Sequence, residues 1–333
     1  FTSLLNLWQD IVSGDDYVLK QYTVDDSDPK QSRKFFREAT ILNKLFHTNV
    51  IQLTAIVHDE HNTHSKYLLM PFYELGTLQQ WWARRYEKNG ASYASRKQVM
   101  LATPQQTRHD FGYVLQGVLQ GLRHIHNHGI VHLDIKPDNI MMKNERTPVI
   151  VDFDISFNME ERALTATMSA SKVGGTDGFM APELFLPNAK ATPACDMYSF
   201  GATVVWVMFG FEELLRVRER VGDVKMLGEL RNMVKQFHVM GEGGKRTHRH
   251  NLNENDDDVS VHGFRDLVLK LTDETPQNRL RAENALNHPF LKPYVLLNSP
   301  DVSTVCDCFL GACFRFILKR CMKRSCCYMC HEF

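Results

Sequence analysis

Residues 130–142 read IVHLDIKPDNIMM and place several charged groups between two apolar runs. Asp134, Lys136, Asp138 and Asn139 fall within six consecutive residues. Short apolar runs of this kind are typical of buried β-structure. The charged residues therefore belong on a loop that is fixed between core elements.

The residue types in this loop fit one kind of chemistry. An Asp that accepts a proton from an alcohol must be held beside the reacting oxygen, and Asp134 is a candidate for that role. Lys136 can lie against a transferred phosphoryl group, and the side-chain oxygen of Asn139 can ligate a metal. Eighteen residues after Asp134, Asp152 follows an apolar strand, where its carboxylate suits a divalent cation. The spacing favours metal-assisted phosphoryl transfer.

The whole chain has the composition of a globular protein. It has 333 residues, of which 43% are hydrophobic and 23% charged. The formal net charge is +0, so we expect no nucleic-acid partner. No apolar run reaches the ~18 residues that a membrane-spanning helix needs. Because the chain begins with Phe1 and not Met, we expect it to be a fragment.

Local patterns predict strands and one helix in the first hundred residues. The runs DYVLKQY and KYLLMPFY are strand-like, as NIMM and PVIVDFD are further along. Between the first two runs, Phe35, Ala39, Leu42 and Phe46 recur at helical spacing. These four side chains predict the buried face of a helix.

A longer helix is predicted from Thr107 onward, with Thr107 and Asp110 as a capping pair at its start. Gly129 is its predicted C-terminal cap. Its apolar stripe has six members: Phe111, Val114, Leu115, Val118, Leu122 and Ile125. Residues 190–290 have a mostly helical pattern.

With these elements in place, the chain resembles a eukaryotic-type protein kinase. HLDIKPDN is similar to the catalytic loop of that family, and DFD at 152–154 to its metal-binding triplet. APE at 181–183 is similar to the end of the activation segment. CDMYSFG at 195–201 is similar to the start of the large central helix, with Asp196 as an anchoring carboxylate.

The resemblance implies a fold and a domain layout. The fold would be α+β and bilobal, with a strand-rich, incomplete N-lobe, a mostly helical C-lobe and an active site between them. The kinase domain would span residues 1–294, with the N-lobe at about 1–71, the hinge at about 71–76 and the C-lobe at about 77–294. Within the C-lobe, Arg279 would pair with Glu183. A basic, cysteine-rich tail would follow at 295–333.

The resemblance also implies roles for the loop residues. Asp134 would orient the substrate hydroxyl and accept its proton. Lys136 would stabilise charge on the transferred phosphoryl group. Asn139 and Asp152 would hold Mg²⁺. The substrate would be a protein.

Nucleotide binding is implied for residues of the first lobe and the hinge. Lys20, paired with Glu38, would hold the α- and β-phosphates of ATP. The adenine amino group would donate to the carbonyl of Pro71, and Tyr73 would supply a backbone N–H to the ring nitrogen. Two apolar side chains would enclose the adenine ring: Val18 and Met141.

Two residues favour the serine/threonine branch of the family: Lys136, two positions after the catalytic Asp, and Thr176, which precedes APE. Leu133 replaces the Arg that normally binds a phosphorylated activation loop. We therefore interpret four loop hydroxyls as solvated groups and not as phosphorylation sites: Thr165, Thr167, Ser169 and Ser171. Asp154 replaces the Gly of the metal-binding triplet and should restrict the motion of Phe153.

The glycine-rich phosphate loop is the largest departure. Counted back from Lys20, it falls around Phe1 to Leu4, and this stretch contains no Gly. Either the chain begins inside the loop or the loop is degenerate. We favour truncation, because the initial Met is absent as well.

The tail is unlike the rest of the chain. Seven of the eight cysteines lie there: Cys306, Cys308, Cys313, Cys321, Cys326, Cys327 and Cys330. Three interpretations stay open: a basic segment that is lipid-modified and touches a membrane, part of a zinc module, and an extension without function. Because only Cys195 lies outside the tail, we expect a reducing, cytoplasmic location, with membrane association through the tail as one option.

Three functions compete at this stage. The first is an ATP- and Mg²⁺-dependent serine/threonine protein kinase, which we favour because Lys20, Glu38, Asp134, Asn139 and Asp152 are all present. The second is a pseudokinase that uses the same fold as a binding scaffold. The third is a small-molecule phosphotransferase, which would not be expected to carry APE with its partner Arg279.

Overall fold

The structure, a computed structural model, describes residues 4–23, 29–58, 64–87, 105–160, 174–186, 190–209 and 255–294, with a few residues between 216 and 234. The described residues divide into two compact units. The first contains the described part of Phe1–His47 and of Ile51–Phe72. The second contains Thr48–Val50 and the described part of Tyr73–Val295. Each unit is described separately.

The first unit is built on a four-stranded antiparallel sheet in the order β1-β2-β4-β3. Its strands are β1 (Leu4–Gln9), β2 (Asp16–Thr23), β3 (Ala55–His58) and β4 (Ser65–Pro71). Leucine, tyrosine and valine recur in these strands, as a half-buried pleated surface favours. The two strand-like runs predicted in this region are β2 and β4.

One helix of the first unit accompanies the sheet, α1 (Pro29–Lys44). Phe35, Ala39 and Leu42 are buried, as their spacing predicts. The fourth predicted member, Phe46, is 61% exposed, so this prediction was wrong. The helix ends at Lys44, and the periodicity that a helix imposes ends there too. Leu45, with 0% exposure, is buried instead.

The second unit is mostly helical. It contains α2 (Leu78–Glu87), α3 (Gln105–Asn127), α4 (Pro193–Phe209), α5 (Asn255–Leu271) and α6 (Ala282–Leu286). All six predicted apolar residues of α3 are buried. Gly129 follows this helix with φ +69°, the left-handed conformation that a C-terminal cap requires.

The predicted start of α3 is wrong. The helix begins at Gln105, so Thr107 lies within it. The Asp110 carboxylate is occupied by cations from elsewhere in the chain. Its Oδ2 accepts a 2.7 Å hydrogen bond from Arg85, and its Oδ1 accepts one of 2.6 Å from Arg146. Because Asp110 is buried, this pairing fixes α3 against its neighbours.

Two short antiparallel ladders carry the loops of interest. The pair β5 (Ile130–Val131) and β8 (Phe157–Asn158) forms one, and β6 (Ile140–Asn144) with β7 (Thr147–Ile150) forms the other. The predicted strand NIMM corresponds to β6, whereas only the first three residues of PVIVDFD lie in β7 and the remaining four follow it. The charged loop therefore runs from the end of β5 to the start of β6.

The predicted α+β class is confirmed, because the described residues form a strand-rich N-terminal region followed by a mostly helical part. None of the helices in the described ranges is long and apolar enough to cross a bilayer. The predicted solvated hydroxyls at 165–171 and the cysteine-rich tail at 295–333 lie outside the described residues.

Candidate active site

Lys20 on β2 and Glu38 on α1 form a buried ion pair in the first unit. Lys20 Nζ lies 3.0 Å from Glu38 Oε1 and 3.1 Å from Oε2. The two residues are 4% and 1% exposed. Removing one partner of such a pair would leave an uncompensated buried charge, so the two side chains hold each other in place. The structure thus brings together the predicted phosphate-binding pair.

Strand β1 lies beside this pair and contains no glycine. Leu5 pairs with Lys20 and Leu7 with Val18 in the antiparallel register. Directly paired residues of an antiparallel sheet project from the same face. Leu5 and Leu7, which are 59% and 46% exposed, therefore stand on the face that carries Lys20 and the predicted adenine contact Val18.

The predicted hinge contacts end the first unit and begin the second. Pro71 is the last residue of β4 and pairs with Tyr17. In the second unit, no hydrogen bond among the described residues uses the backbone N–H of Tyr73, which leaves this donor available to a ligand. Burial raises the pKa of the Tyr73 phenol, so that side chain stays neutral. Met141 is held on β6 by a bridge to Thr77.

The Asp134 carboxylate is held by three side chains of the second unit. Oδ2 accepts a 2.8 Å hydrogen bond from Asn139 Nδ2 and lies 2.9 Å from Lys136 Nζ. Oδ1 accepts a 2.7 Å hydrogen bond from the Thr176 hydroxyl, which in turn accepts one of 2.7 Å from Lys136. Two predicted catalytic residues and one predicted metal ligand therefore meet in one network with Thr176.

This network sets the charge of the carboxylate. Burial raises the pKa of Asp134, but hydrogen bonds from Thr176 and Lys136, together with the lysine's charge, outweigh it. The net result is a pKa below the ordinary value for Asp. Asp134 is therefore ionised at neutral pH, as an acceptor of hydrogen bonds and protons must be.

The backbone around Asp134 is fixed by hydrogen bonds to the side chains of Asp196 and His132. Asp196, fully buried on α4, accepts hydrogen bonds from the N–H groups of His132 (2.9 Å) and Leu133 (2.8 Å). The His132 ring accepts a 3.2 Å hydrogen bond from the Asp134 N–H through Nδ1 and lies 3.0 Å from the Val151 carbonyl through Nε2. A neutral imidazole with its proton on Nε2 satisfies both contacts. His132 is thus a core histidine.

Asn139 and Asp152 fit a divalent cation. The Val151 N–H donates a 3.0 Å hydrogen bond to the Asn139 carbonyl, so these residues lie at the same end of the β6–β7 ladder. Asn139 donates through Nδ2 to the carbonyl and to Oδ2 of Asp134, which leaves its Oδ1 as an oxygen ligand. Asp152 has φ +66°, a conformation that Asp tolerates better than most residues. Carboxylate and amide oxygens are the ligands that Mg²⁺ prefers.

Leu133 has φ +70° and is nearly buried in an apolar cluster. The other buried members of this cluster are Val131, Met180, Ala181, Leu184, Cys195 and Tyr198. Three of them, Met180, Ala181 and Leu184, belong to the segment around APE. Where the family has a phosphate-binding Arg, this chain packs a hydrocarbon side chain against that segment.

Glu183 and Arg279 form the predicted buried ion pair. Nη1 of Arg279 lies 2.6 Å from Oε1 of Glu183, and Nη2 lies 2.7 Å from Oε2. The Cys195 thiol donates a weak 3.3 Å bond to the same Oε1. Burial and then the charge of Glu183 raise the pKa of Cys195 to about 12. The cysteine is therefore a packed, neutral group.

Two contacts of the site were not predicted from the sequence. The Tyr22 hydroxyl donates to Glu38, and His126 Nε2 lies 2.9 Å from Asp196 Oδ2. Tyr22 had a detectable signal, since alternate residues of a strand share a face and Tyr22 is two positions after Lys20. His126 carried no such signal, because Asp196 is 70 residues away in sequence.

Comparison with known proteins agrees with this geometry. The family model described as "Protein kinase domain" matches residues 7–291. Serine/threonine-protein kinase TOS3 of Saccharomyces cerevisiae is 25% identical over 283 residues, which cover 82% of this chain and 46% of that protein. SNF1-activating kinase 1 of the same species is 25% identical over 324 residues, covering 86% of this chain and 26% of that protein.

A human relative shows the same likeness over a shorter range. Receptor-interacting serine/threonine-protein kinase 1 is 30% identical over 197 residues, covering 55% of this chain and 26% of that protein. The chain thus spans between about a quarter and a half of the length of these curated relatives. The family match, however, includes both the Lys20–Glu38 pair and the Asp134 network. The chain belongs to the protein kinase domain family.

Proposed function

We propose that this chain is a serine/threonine protein kinase, which transfers the γ-phosphoryl group of ATP to a protein hydroxyl. The observation that carries the proposal is the network at Asp134, in which Lys136, Asn139 and Thr176 hold an ionised carboxylate. Relatives named as serine/threonine kinases support the choice of substrate hydroxyl.

In this proposal Asp134 orients the substrate hydroxyl and accepts its proton. The Lys136 ammonium, already beside Asp134, neutralises charge on the phosphoryl group as it moves. Thr176 fixes both side chains through its single hydroxyl. Because phosphoryl transfer requires mainly positioning and charge neutralisation, a network formed in advance suits it.

ATP and Mg²⁺ are the proposed cofactors. Lys20, held by Glu38, would bind the α- and β-phosphates, and Asn139 and Asp152 would ligate the metal. The bound Mg²⁺ would supply charge neutralisation at the phosphates. Val18 and Met141 would enclose the adenine, with the Pro71 carbonyl and the Tyr73 N–H at its polar edge.

A scaffold without catalysis is the second candidate, and β1 is the observation that favours it. Leu5 and Leu7 stand on the Lys20 face where the family has a glycine-rich strand start. Side chains at these positions keep backbone N–H groups from approaching phosphates as closely as glycine permits. A chain with weakened nucleotide binding would use its fold for protein binding alone.

The deciding experiment measures phosphate transfer from radiolabelled ATP to a generic basic protein in the presence of Mg²⁺. Asp134→Asn should abolish transfer, because the base is lost while size and packing are kept. Asp138→Asn is the matched control, since this exposed carboxylate belongs to the same loop and forms no hydrogen bond or ion pair with the other described residues. Phosphoamino acid analysis of the product should find phosphoserine and phosphothreonine.

Transfer that survives in the Asp134→Asn variant would point to a contaminating kinase. No transfer by the unchanged chain, with cooperative unfolding to prove that it is folded, would refute the enzyme proposal. That result would leave the scaffold as the better candidate. Phosphotyrosine as the main product would refute the proposed substrate class alone.

A further inference from the structure

Tyr22 is a third member of the Lys20–Glu38 pair. It lies two residues after Lys20 on β2, so both side chains project from one face of the sheet. Its hydroxyl donates a hydrogen bond to Glu38 Oε2. Tyr22 is 6% exposed, so this bond is shielded from water. Lys20 and Tyr22, on the same strand, are therefore both buried donors to the Glu38 carboxylate.

The Tyr22 ring is also held in place, by contacts with Phe35 and Lys20. It meets the Phe35 ring edge to face, with centroids 5.4 Å apart, and Phe35 lies on α1 one turn before Glu38. Lys20 Nζ lies 5.7 Å from the centroid of the Tyr22 ring, within the range of a cation–π contact. Tyr22 thus contacts the lysine, the glutamate and the helix that carries the glutamate.

This arrangement changes what Glu38 can do before a ligand arrives. A buried carboxylate is strongly destabilising unless donors satisfy it. A movement of the lysine toward a phosphate would take one donor away from the carboxylate. With Tyr22 present, Glu38 keeps a hydrogen bond throughout, and α1 stays tied to β2.

We infer that Tyr22 is a positioning residue that holds Glu38, and through it Lys20, in the nucleotide-binding arrangement before ATP arrives. The inference rests on the proposed function, because it assumes that Lys20 binds ATP. A binding-competent arrangement that is populated in advance lowers the apparent dissociation constant in proportion to its population. Tyr22 would therefore act on nucleotide affinity.

The test compares the unchanged chain with Tyr22→Phe by fluorescence titration with a labelled ATP analogue and Mg²⁺. The substitution removes the hydroxyl and keeps the ring packing on Phe35. We expect the dissociation constant to rise roughly tenfold, the lower end of what a hydrogen bond to a charged group contributes. The maximal rate at saturating ATP should change by less than about twofold, because bound ATP restores the arrangement.

Tyr17→Phe is the matched control. Tyr17 lies on the same strand but on the opposite face, where its ring is 5.9 Å from that of Trp8. Loss of this hydroxyl should leave nucleotide affinity unchanged. A general weakening of β2 would instead affect both variants in the same way.

A double-substitution cycle separates positioning from simple packing. In a Glu38→Gln background, Tyr22→Phe should have little further effect on affinity, because its target is already altered. A tenfold effect that persists in that background would overturn the inference, since Tyr22 would then act without Glu38. Hydrogen exchange of α1 should be faster in Tyr22→Phe and should return to normal with Mg²⁺-ATP.

The outcomes distinguish this inference from the proposed function. Equal affinities of the unchanged chain and Tyr22→Phe, in a chain that transfers phosphate, would refute only the inference. A chain that shows the tenfold difference in binding but transfers no phosphate would refute only the kinase proposal. If the unchanged chain fails to bind Mg²⁺-ATP, the proposed phosphate binding by Lys20 is refuted, and the inference about Tyr22 is refuted with it.

Discussion

Thr176 donates a 2.7 Å hydrogen bond from Oγ1 to Oδ1 of Asp134. The same oxygen accepts a 2.7 Å bond from Lys136, so one hydroxyl links the proposed base to the proposed charge-neutralising group. In the sequence, Thr176 is only a marker of the serine/threonine branch. The structure gives it a physical task, which is to hold two oppositely charged side chains at fixed positions.

Thr176→Val should lower the maximal rate on the order of tenfold to a hundredfold, because it removes this link while keeping a β-branched side chain. Thr176→Ser, which keeps the hydroxyl, should retain most of the activity. The measurement is steady-state transfer to a protein substrate. Equal losses in the two variants would show that the hydroxyl is not what matters.

The same variant makes a prediction about pH. Hydrogen bonds from Thr176 and Lys136 hold the pKa of Asp134 below its ordinary value, although burial acts in the opposite direction. Activity that needs the ionised form is lost as the pH falls through this pKa. Thr176→Val removes one stabilising bond and raises the pKa, so the acid limb of the pH–rate profile should move to higher pH. An unmoved limb would contradict the assignment of that limb to Asp134.

Arg279→Met should destabilise the chain by about 3–5 kcal/mol, because it leaves the Glu183 carboxylate without its buried partner. The Arg279 side chain is 0% exposed and also contacts the Tyr198 ring at 4.7 Å. Urea unfolding measures the loss. Arg281→Met, at an exposed neighbour, should change stability by less than about 0.5 kcal/mol. Similar losses of stability at both positions would contradict the stabilising role of the Arg279–Glu183 ion pair.

Leu133→Arg should destabilise the chain by several kcal/mol and should not create a phosphate-binding site. The new guanidinium would lie among the apolar residues Met180, Ala181 and Leu184, which offer a charged group no hydrogen bond. Leu133→Met, of similar volume, should cost less than about 1.5 kcal/mol. Thermal unfolding of both variants tests this, and an arginine variant as stable as the parent would refute it.

The parts of this fold that sequence predicts well are those fixed by local spacing or by family motifs. Gly129 takes the left-handed conformation that its position after an apolar helical stripe requires. Asp196 and the Arg279–Glu183 pair lie where the family resemblance places them. In each case the position is fixed by local backbone geometry or by a family motif in which both partners are known.

The parts that sequence misses depend on partners distant in the chain. Asp110 has the spacing of a cap, but its actual partners, Arg85 and Arg146, are 25 and 36 residues away. Phe46 continues the helical period by number, although the helix has already ended. A one-dimensional pattern contains no information on which cation will reach a buried carboxylate or where tertiary packing stops a helix.

Cys195 should resist alkylation at pH 8 in the folded chain. Burial and the neighbouring Glu183 raise the pKa of its thiol to about 12, and the thiolate is the form that reacts. Iodoacetamide followed by peptide mass mapping should find residue 195 unmodified in buffer and modified in concentrated urea. Rapid labelling in buffer would show that the apolar cluster around Leu133 opens readily, contrary to its burial.

Leu5→Gly should tighten Mg²⁺-ATP binding by about threefold to tenfold, the contribution of one neutral hydrogen bond. Leu5 pairs with Lys20 and stands, exposed, on the face where phosphates would bind. Glycine there lets a backbone N–H approach the phosphates. Fluorescence titration with the labelled ATP analogue measures the change.

Asn6→Gly is the control for Leu5→Gly, because it adds the same backbone freedom to β1 on the opposite face. Tighter binding in Leu5→Gly alone would show that a leucine side chain limits nucleotide access to Lys20. Equal affinities in both variants and the parent would mean that β1 takes no part in phosphate binding. The absence of glycine from this strand would then no longer support the scaffold candidate, because β1 would not affect ATP binding in either case.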